Sequence, residues 1–244
     1  MPVHLIRRLE QFTRLSSQER QALHDLDGRR QKVEPRADII AEGDKPEHVN
    51  LVLDGWACRY KQLEDGRRQI ISVFLPGDLC DDHVFILSEM DHSIGALTPV
   101  SFIEIPRDAL TGLADEYPRL RHALWWDALV TAAIQREWTV NLGQRTAYER
   151  MAHLFCELFL RLRSVGLAED DGFRLPITQV DLAELLGLTP VHVNRTLKEM
   201  RKSELISLER KRLTIPDPDA LMEAALFNPN YLHLGREGRH LDAN

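Results

Sequence analysis

The stretch from Thr178 to Met200 constrains this chain more than any other, because almost every residue in it has a definite local role. Thr178, followed three residues later by Asp181, reads as a capping pair that opens a helix and satisfies orphan backbone N–H groups. Gly187 is placed to stop that helix and to take the left-handed conformation of a tight turn. Thr189 then caps a second helix, with Pro190 at its first position, where a missing N–H costs nothing. Ala183 is small at the point where two crossing helices must approach. Val193 and Leu197 turn inward at i, i+4 spacing and leave Val191, His192, Asn194, Arg195 and Lys198 on the open face. A short helix, a glycine turn and a second helix with polar N-terminal residues make a helix-turn-helix. Such a unit sets its second helix, here 189–200, in the DNA major groove.

Charge bears on the same reading. The 244-residue chain has a net charge of −7, which by itself argues against a nucleic-acid partner. The balance reverses locally: between Thr189 and Ile215, Arg195, Lys198, Arg201, Lys202, Arg210, Lys211 and Arg212 face only Glu199, Glu204 and Glu209. Two strands, Leu205–Leu208 and Arg212–Ile215, are expected around a basic turn at Arg210 and Lys211, a wing suited to the phosphate backbone. Arg195 can donate twice to guanine, and Asn194 can pair with adenine or bridge to phosphate. The candidate DNA contacts are Thr178, Gln179, Thr189, Pro190, Val191, His192, Asn194, Arg195, Lys198, Arg210 and Lys211.

The first 26 residues read as short helices, with Leu5, Leu9, Phe12 and Leu15 at helical spacing and a second, capped helix signalled by Ser16 and Glu19. From about Val33 to Ile105 the pattern turns to strands. Gly43, Gly55, Gly66 and Gly77 recur roughly every eleven residues in turn-prone settings, separating Asn50–Leu53, Trp56–Leu63, Gln69–Leu75 and, further on, Val100–Ile105. Short strands at this spacing predict an antiparallel barrel or jelly roll. Pro118 can open a long helix to about Leu142. Its apolar stripe includes Leu120, Leu124, Thr131, Ile134 and Trp138, fit either for packing inside the chain or for a dimer seam. Another amphipathic helix runs from Thr146 to Val165, and Gly166–Gly172 reads as an acidic surface loop.

The expected class is therefore α+β, with an N-terminal antiparallel β-roll, a long helix and a C-terminal winged helix-turn-helix. The divisions fall at 1–116, 117–144 and 145–216, with a tail over 217–244 that packs on the winged domain. No apolar run is long enough to span a bilayer, and the first residues lack a signal-peptide core. Cys58, Cys80 and Cys156 are odd in number and widely spaced, which fits a reducing compartment and cannot supply a four-cysteine cluster. The expected location is the cytoplasm.

In this order, the glycine-punctuated roll, the long helix and the winged unit resemble the Crp/Fnr family of bacterial regulators, from about Leu5 to Ile215. Glu42-Gly43-Asp44, Pro76-Gly77-Asp78 and Gly187 to Arg195 carry the resemblance. It implies a sensor roll, a homodimer joined along the long helix, and a helix-turn-helix reading an inverted repeat in double-stranded DNA, with RNA polymerase a further candidate partner. The family's base-contacting positions fall on Pro190, Val191, Asn194 and Arg195. Val191 stands where many members carry a glutamate, so a different half-site is expected.

The sensor departs from the cyclic-AMP pattern. Asp81-Asp82-His83 replaces the phosphate cassette and His92-Ser93 replaces the later Arg-Ser pair, so aspartates without an arginine should repel a cyclic phosphate. Cys80, Asp81, Asp82, His83, His92 and Ser93 form the candidate effector pocket, the effector itself being unknown. A divalent metal there, or haem on His83 with Pro2, are alternatives. A sensor module acting on a protein partner is another, against which the helix-turn-helix stands. An enzyme of cupin type would need a His-x-His pair, which is lacking, and no catalytic constellation stands out.

Overall fold

The computed structural model describes residues 2–26, 28–81 and 86–243. The chain divides into two units. One comprises the residues up to Lys61, Ser72–Ala132 and the segment from His233 onward; the other comprises Gln62–Ile71 and Ala133–Leu232.

In the first unit α1 (Val3–Leu9) ends earlier than the leucine spacing suggests, and Phe12 sits in a turn whose N–H donates to the Leu9 carbonyl. Helix α2 (Ser17–His24) opens on the expected capping box. Ser16 Oγ accepts from the Glu19 N–H at 3.2 Å and the Glu19 carboxylate accepts from the Ser16 N–H at 2.7 Å. Among the described residues eight strands follow, with Gln62 of β4 and Arg68–Ile71 of β5 counted in the second unit: β1 (Arg29–Val33), β2 (Asp38–Ile40), β3 (His48–Asp54), β4 (Ala57–Gln62), β5 (Arg68–Phe74), β6 (Leu79–Cys80), β7 (Ser93–Ala96) and β8 (Val100–Pro106). They form two four-stranded sheets, ordered β1-β8-β3-β6 and β2-β7-β4-β5.

Strands β3 and β8 are apolar on both faces, and period-two alternation sorts their side chains. Val52, Val100 and Phe102 point between the sheets, where they meet Ala57, Phe74, Ile94 and Ala96 of the opposite sheet. Val49, Leu51, Ile103 and Ile105 point the other way, onto Leu5, Leu9, Leu23, Leu110, Leu113, Leu120 and Leu124 of the helices. Truncating any one of these leucines to alanine should cost about 2–5 kcal/mol. Gly55 is needed for two reasons: its φ is +81°, and a Cβ there would lie 2.1 Å from the Pro99 carbonyl oxygen.

Helix α3 (Arg107–Glu116) leads into α4 (Pro118–Gln144), which is close to the expected span. The stripe chosen from sequence as a possible seam is a core stripe. Leu120, Leu124, Ile134 and Trp138 are buried within the chain and Thr131 is half-buried. The face left open carries His122, Trp125, Leu129, Ala132, Arg136 and Val140, at steps of three and four residues. A long helix can be apolar on two faces, and the stronger stripe packs intramolecularly.

In the second unit α5 (Ala147–Ser164) is followed by β9 (Ala168–Glu169), β10 (Gly172–Arg174), α6 (Gln179–Leu186), α7 (Pro190–Lys202), β11 (Ser207–Glu209), β12 (Arg212–Thr214) and α8 (Pro218–Ala224). The four strands form one sheet ordered β11-β12-β10-β9. The loop expected at Gly166–Gly172 thus contains β9 and the start of β10, which are too short to show periodicity. The tail expectation holds only in part. Residues to Leu232 stay with this unit, where the Tyr231 hydroxyl donates to Glu157 at 2.9 Å, whereas the segment from His233 onward belongs to the first unit.

Candidate nucleic-acid interface

The helix-turn-helix is assembled by the contacts its residue types require. Thr178 Oγ1 accepts from the Asp181 N–H at 3.2 Å, and the Asp181 carboxylate accepts from the Thr178 N–H at 2.7 Å. Gly187 ends α6 with φ +62°, and its N–H donates to the Ala183 carbonyl. Thr189 Oγ1 accepts from the His192 N–H at 3.2 Å, with Pro190 opening α7. Val193, Thr196, Leu197 and Met200 face inward. Val191 is 80% exposed, and Arg195 and Lys198 are open beside it. His192 and Asn194 are half-buried on that face, and Asn194 Nδ2 donates to Gln179 Oε1 at 3.3 Å and thereby leans on α6. The first-turn N–H groups of α7 give this end a partial positive charge.

Two further residues, not singled out from sequence, hold the unit in place. The Arg150 guanidinium donates to the Leu186 carbonyl at the end of α6, to the Leu142 carbonyl at 3.2 Å and to the Arg145 carbonyl at 3.1 Å. Gln69 Nε2, from the start of β5, donates to the Glu184 carbonyl at 2.6 Å. Neither bond leaves a periodic or motif signature.

Strands β11 and β12 pair antiparallel with Glu209 opposite Arg212, so Arg210 and Lys211 form a two-residue turn. Both are left-handed, with φ +47° and +64°, the condition of a type I′ hairpin that Asn-Gly meets most readily. Two long cationic side chains therefore stand where backbone preference favours other residues. Arg212 contributes less cationic charge than its place in the run suggests. Its Nη2 lies 2.7 Å from Asp171 and 2.9 Å from Glu169, which raise its pKa.

Beneath the unit lies a buried polar network. Glu157 accepts from Trp138 Nε1 at 3.0 Å and from Tyr231, and Arg161 approaches it at 3.3 Å. Burial raises the Glu157 pKa. His153 is fully buried, with Nδ1 3.0 Å from Asn141 Nδ2, and desolvation lowers its pKa to about 3.

The candidate effector pocket in the roll is only partly brought together. Asp82 and His83 lie outside the described residues. Cys80 is buried among the roll's apolar core residues, and burial pushes its thiol well up. Ser93 Oγ accepts from the Glu42 N–H at 2.9 Å. Asp81, at φ +57°, holds His92 Nε2 at 2.8 Å, and His92 Nδ1 meets Asp91 at 2.5 Å. The second partner of Asp81 is the Arg59 guanidinium, which also lies over the Phe74 ring. The expectation of aspartates without an arginine is therefore corrected: β4 supplies Arg59, 22 positions from Asp81 and outside any local motif, and Asp81 occupies it. Despite the desolvation that opposes both shifts, hydrogen bonding between Asp81 and His92 lowers the carboxyl pKa and raises that of the imidazole. Among the described residues, no group of three or more His, Cys, Asp or Glu side chains could hold a metal ion.

Two family models match the chain: a Crp-like helix-turn-helix domain over residues 149–224 and a cyclic nucleotide-binding domain over 30–117. A probable transcriptional activator of Rhizobium leguminosarum bv. viciae is 31% identical over 193 residues, 79% of each chain. The transcriptional activator protein FnrL of Cereibacter sphaeroides is 30% identical over 191 residues, 77% of this chain and 76% of that one. Among solved structures, FixK2 from Bradyrhizobium japonicum superposes with a TM-score of 0.71 at 25% identity, covering 82% of this chain and 98% of that one. With β-roll, long helix and winged helix-turn-helix in this order, the chain belongs to the Crp/Fnr family of DNA-binding transcription regulators.

Proposed function

We propose that the protein works as a cytoplasmic homodimer that reads an inverted repeat in duplex DNA. The observation that carries this is the open face of α7, where Val191, Asn194, Arg195 and Lys198 surround a helix N-terminus whose inward face is fully packed. Arg195 reads guanine, Asn194 reads adenine with its amide steadied by Gln179, and Val191 meets a thymine methyl. Pro190 and His192 lie beside these contacts. Thr178, Gln179, Thr189, Lys198, Arg210 and Lys211 meet phosphates and set register. Residues 145–216 serve as the DNA-binding domain, 1–116 as the sensor and 117–144 as the dimer helix.

The dimer seam falls on the open face of α4, led by Trp125 and Leu129, the latter 66% exposed. Steps of three and four residues along this face match the repeat with which parallel helices pair. No helix among the described residues is long and apolar enough to cross a membrane. The protein carries no catalytic role in this reading, and RNA polymerase is the further partner a regulator bound at a promoter would meet. The roll's pocket is the effector site, with Arg59 held by Asp81 in the form described. Sedimentation and DNA-shift measurements on wild type and Leu129→Glu test the dimer. The wild type should sediment as a dimer, and the variant as a monomer with much weaker binding to a two-half-site duplex. A dimeric variant with unchanged affinity would refute the seam.

A further inference from the structure

We propose that the C-terminal segment completes a second ligand site, on the N-terminal helices, for a small phosphate-bearing anion. The segment is built onto the first unit by specific bonds. The Gly238 N–H donates to the Phe12 carbonyl at 3.1 Å, and the Ala243 N–H to the Arg14 carbonyl at 3.0 Å. Asp242 Oδ1 accepts from the Arg14 N–H at 2.6 Å and from Thr13 Oγ1 at 3.1 Å, while Arg119 Nε donates to the Leu241 carbonyl at 2.5 Å. At Gly238 an added Cβ would come within 2.6 Å of the Phe12 ring, which would have to shift to admit it.

Beside this docked segment is a cleft of about 180 Å³ lined by Glu10, Arg14, Arg20 and Arg236. That is smaller than the ~300–1,000 Å³ clefts that take drug-sized ligands, and it suits an ion or the head of a phosphomonoester. Three guanidiniums face one carboxylate in the lining. Glu10 Oε1 accepts from Arg20 Nε at 2.9 Å and Nη2 at 2.6 Å, and Asp242 Oδ2 accepts from Arg236 Nη2 at 2.6 Å, so two of the guanidiniums are held in place. Among the described residues no ion pair holds the Arg14 side chain. With Asp242 counted, three guanidiniums face two carboxylates, which leaves one positive charge in excess, and guanidinium forks match the oxygens of a phosphate anion. Arg236 comes from the C-terminal segment and Arg14 and Arg20 from the N-terminal region. An anion bound here therefore favours the docked segment by linkage.

The test is thermal melting of the full-length protein in inorganic phosphate and in glycerol 3-phosphate, each against sodium chloride at equal ionic strength. Melting temperature should rise saturably with at least one of them, and the tighter ligand identifies free anion or ester as the source. Arg14→Gln and Arg236→Gln, at surface positions, should fold and weaken the response about tenfold or more, as expected for loss of a charge-assisted contact. No rise beyond the chloride control, or a rise that both variants keep, would overturn the proposal.

Discussion

Replacing the wing turn, Arg210→Asn with Lys211→Gly, should make the protein more stable and a poorer DNA binder at once. Both residues have positive φ, a conformation that costs an ordinary L-residue about 1–2 kcal/mol. Asn-Gly removes most of that strain, and the added backbone freedom of glycine gives back about 0.5–1 kcal/mol. A net gain of about 1 kcal/mol should raise the melting temperature of a chain this size by about 2–4 °C. The Leu175 N–H bond to the carbonyl of residue 211, 2.8 Å long, can be retained because it uses main-chain atoms only. If Arg210 and Lys211 each neutralise one phosphate, the slope of log affinity against log salt should lessen by about 1.8. Affinity at 0.1 M salt should then fall about 60-fold relative to wild type, the gap closing toward 1 M. Fluorescence anisotropy with a labelled operator duplex at five salt concentrations, beside thermal melting, measures both. An unchanged salt slope would refute the wing as a phosphate contact, and a lower melting temperature would refute the strain argument.

Arg195→Ala should cost about 1–3 kcal/mol against the selected site and relax preference at one base pair, leaving the dimer intact by sedimentation. Gln179→Ala should loosen preference at the base read by Asn194 if Gln179 steadies that amide, whereas loss of a phosphate contact alone would weaken all sequences evenly. His153 should add to acid lability. Its folded pKa near 3 lies below the unfolded value of about 6.5, so the unfolded chain binds the extra proton between them. The stability that neutral His153 allows is complete above pH 6.5 and is lost as pH falls, by about 2 kcal/mol at pH 5. Denaturant titrations from pH 7.5 to 5 should show that loss, and His153→Gln should flatten it; parallel curves for both proteins would count against it.

How far the sequence reveals the molecule depends on how local each determinant is. The caps at Ser16, Thr178 and Thr189 and the turn at Gly187 act over three or four residues, and each was legible. Strands β3, β4, β5 and β8 were legible from their apolar runs and flanking turns. β6 and β9 are two residues long, and β1 (Arg-Arg-Gln-Lys-Val) is a charged edge strand, so pairing partners rather than pattern define them. The open face of α4 was hidden because a stronger stripe on the same helix packs inside the chain. Arg59, Arg150 and Gln69 reach Asp81, Leu186 and Glu184, which are 22, 36 and 115 positions away, and spacing alone carries no trace of such contacts. The return of the tail to the N-terminal helices was hidden for the same reason.

Selection of bound sequences from a random duplex library, using the purified full-length protein, tests the central claim most directly. A dimer presenting two copies of α7 should enrich an inverted repeat with half-site centres about one helical turn apart, roughly 10 bp, and Arg195→Ala should lose a guanine from each half. Enrichment of a single unrepeated half-site, or retention of all sequences alike with an inverted repeat bound no better than random duplex, would contradict it.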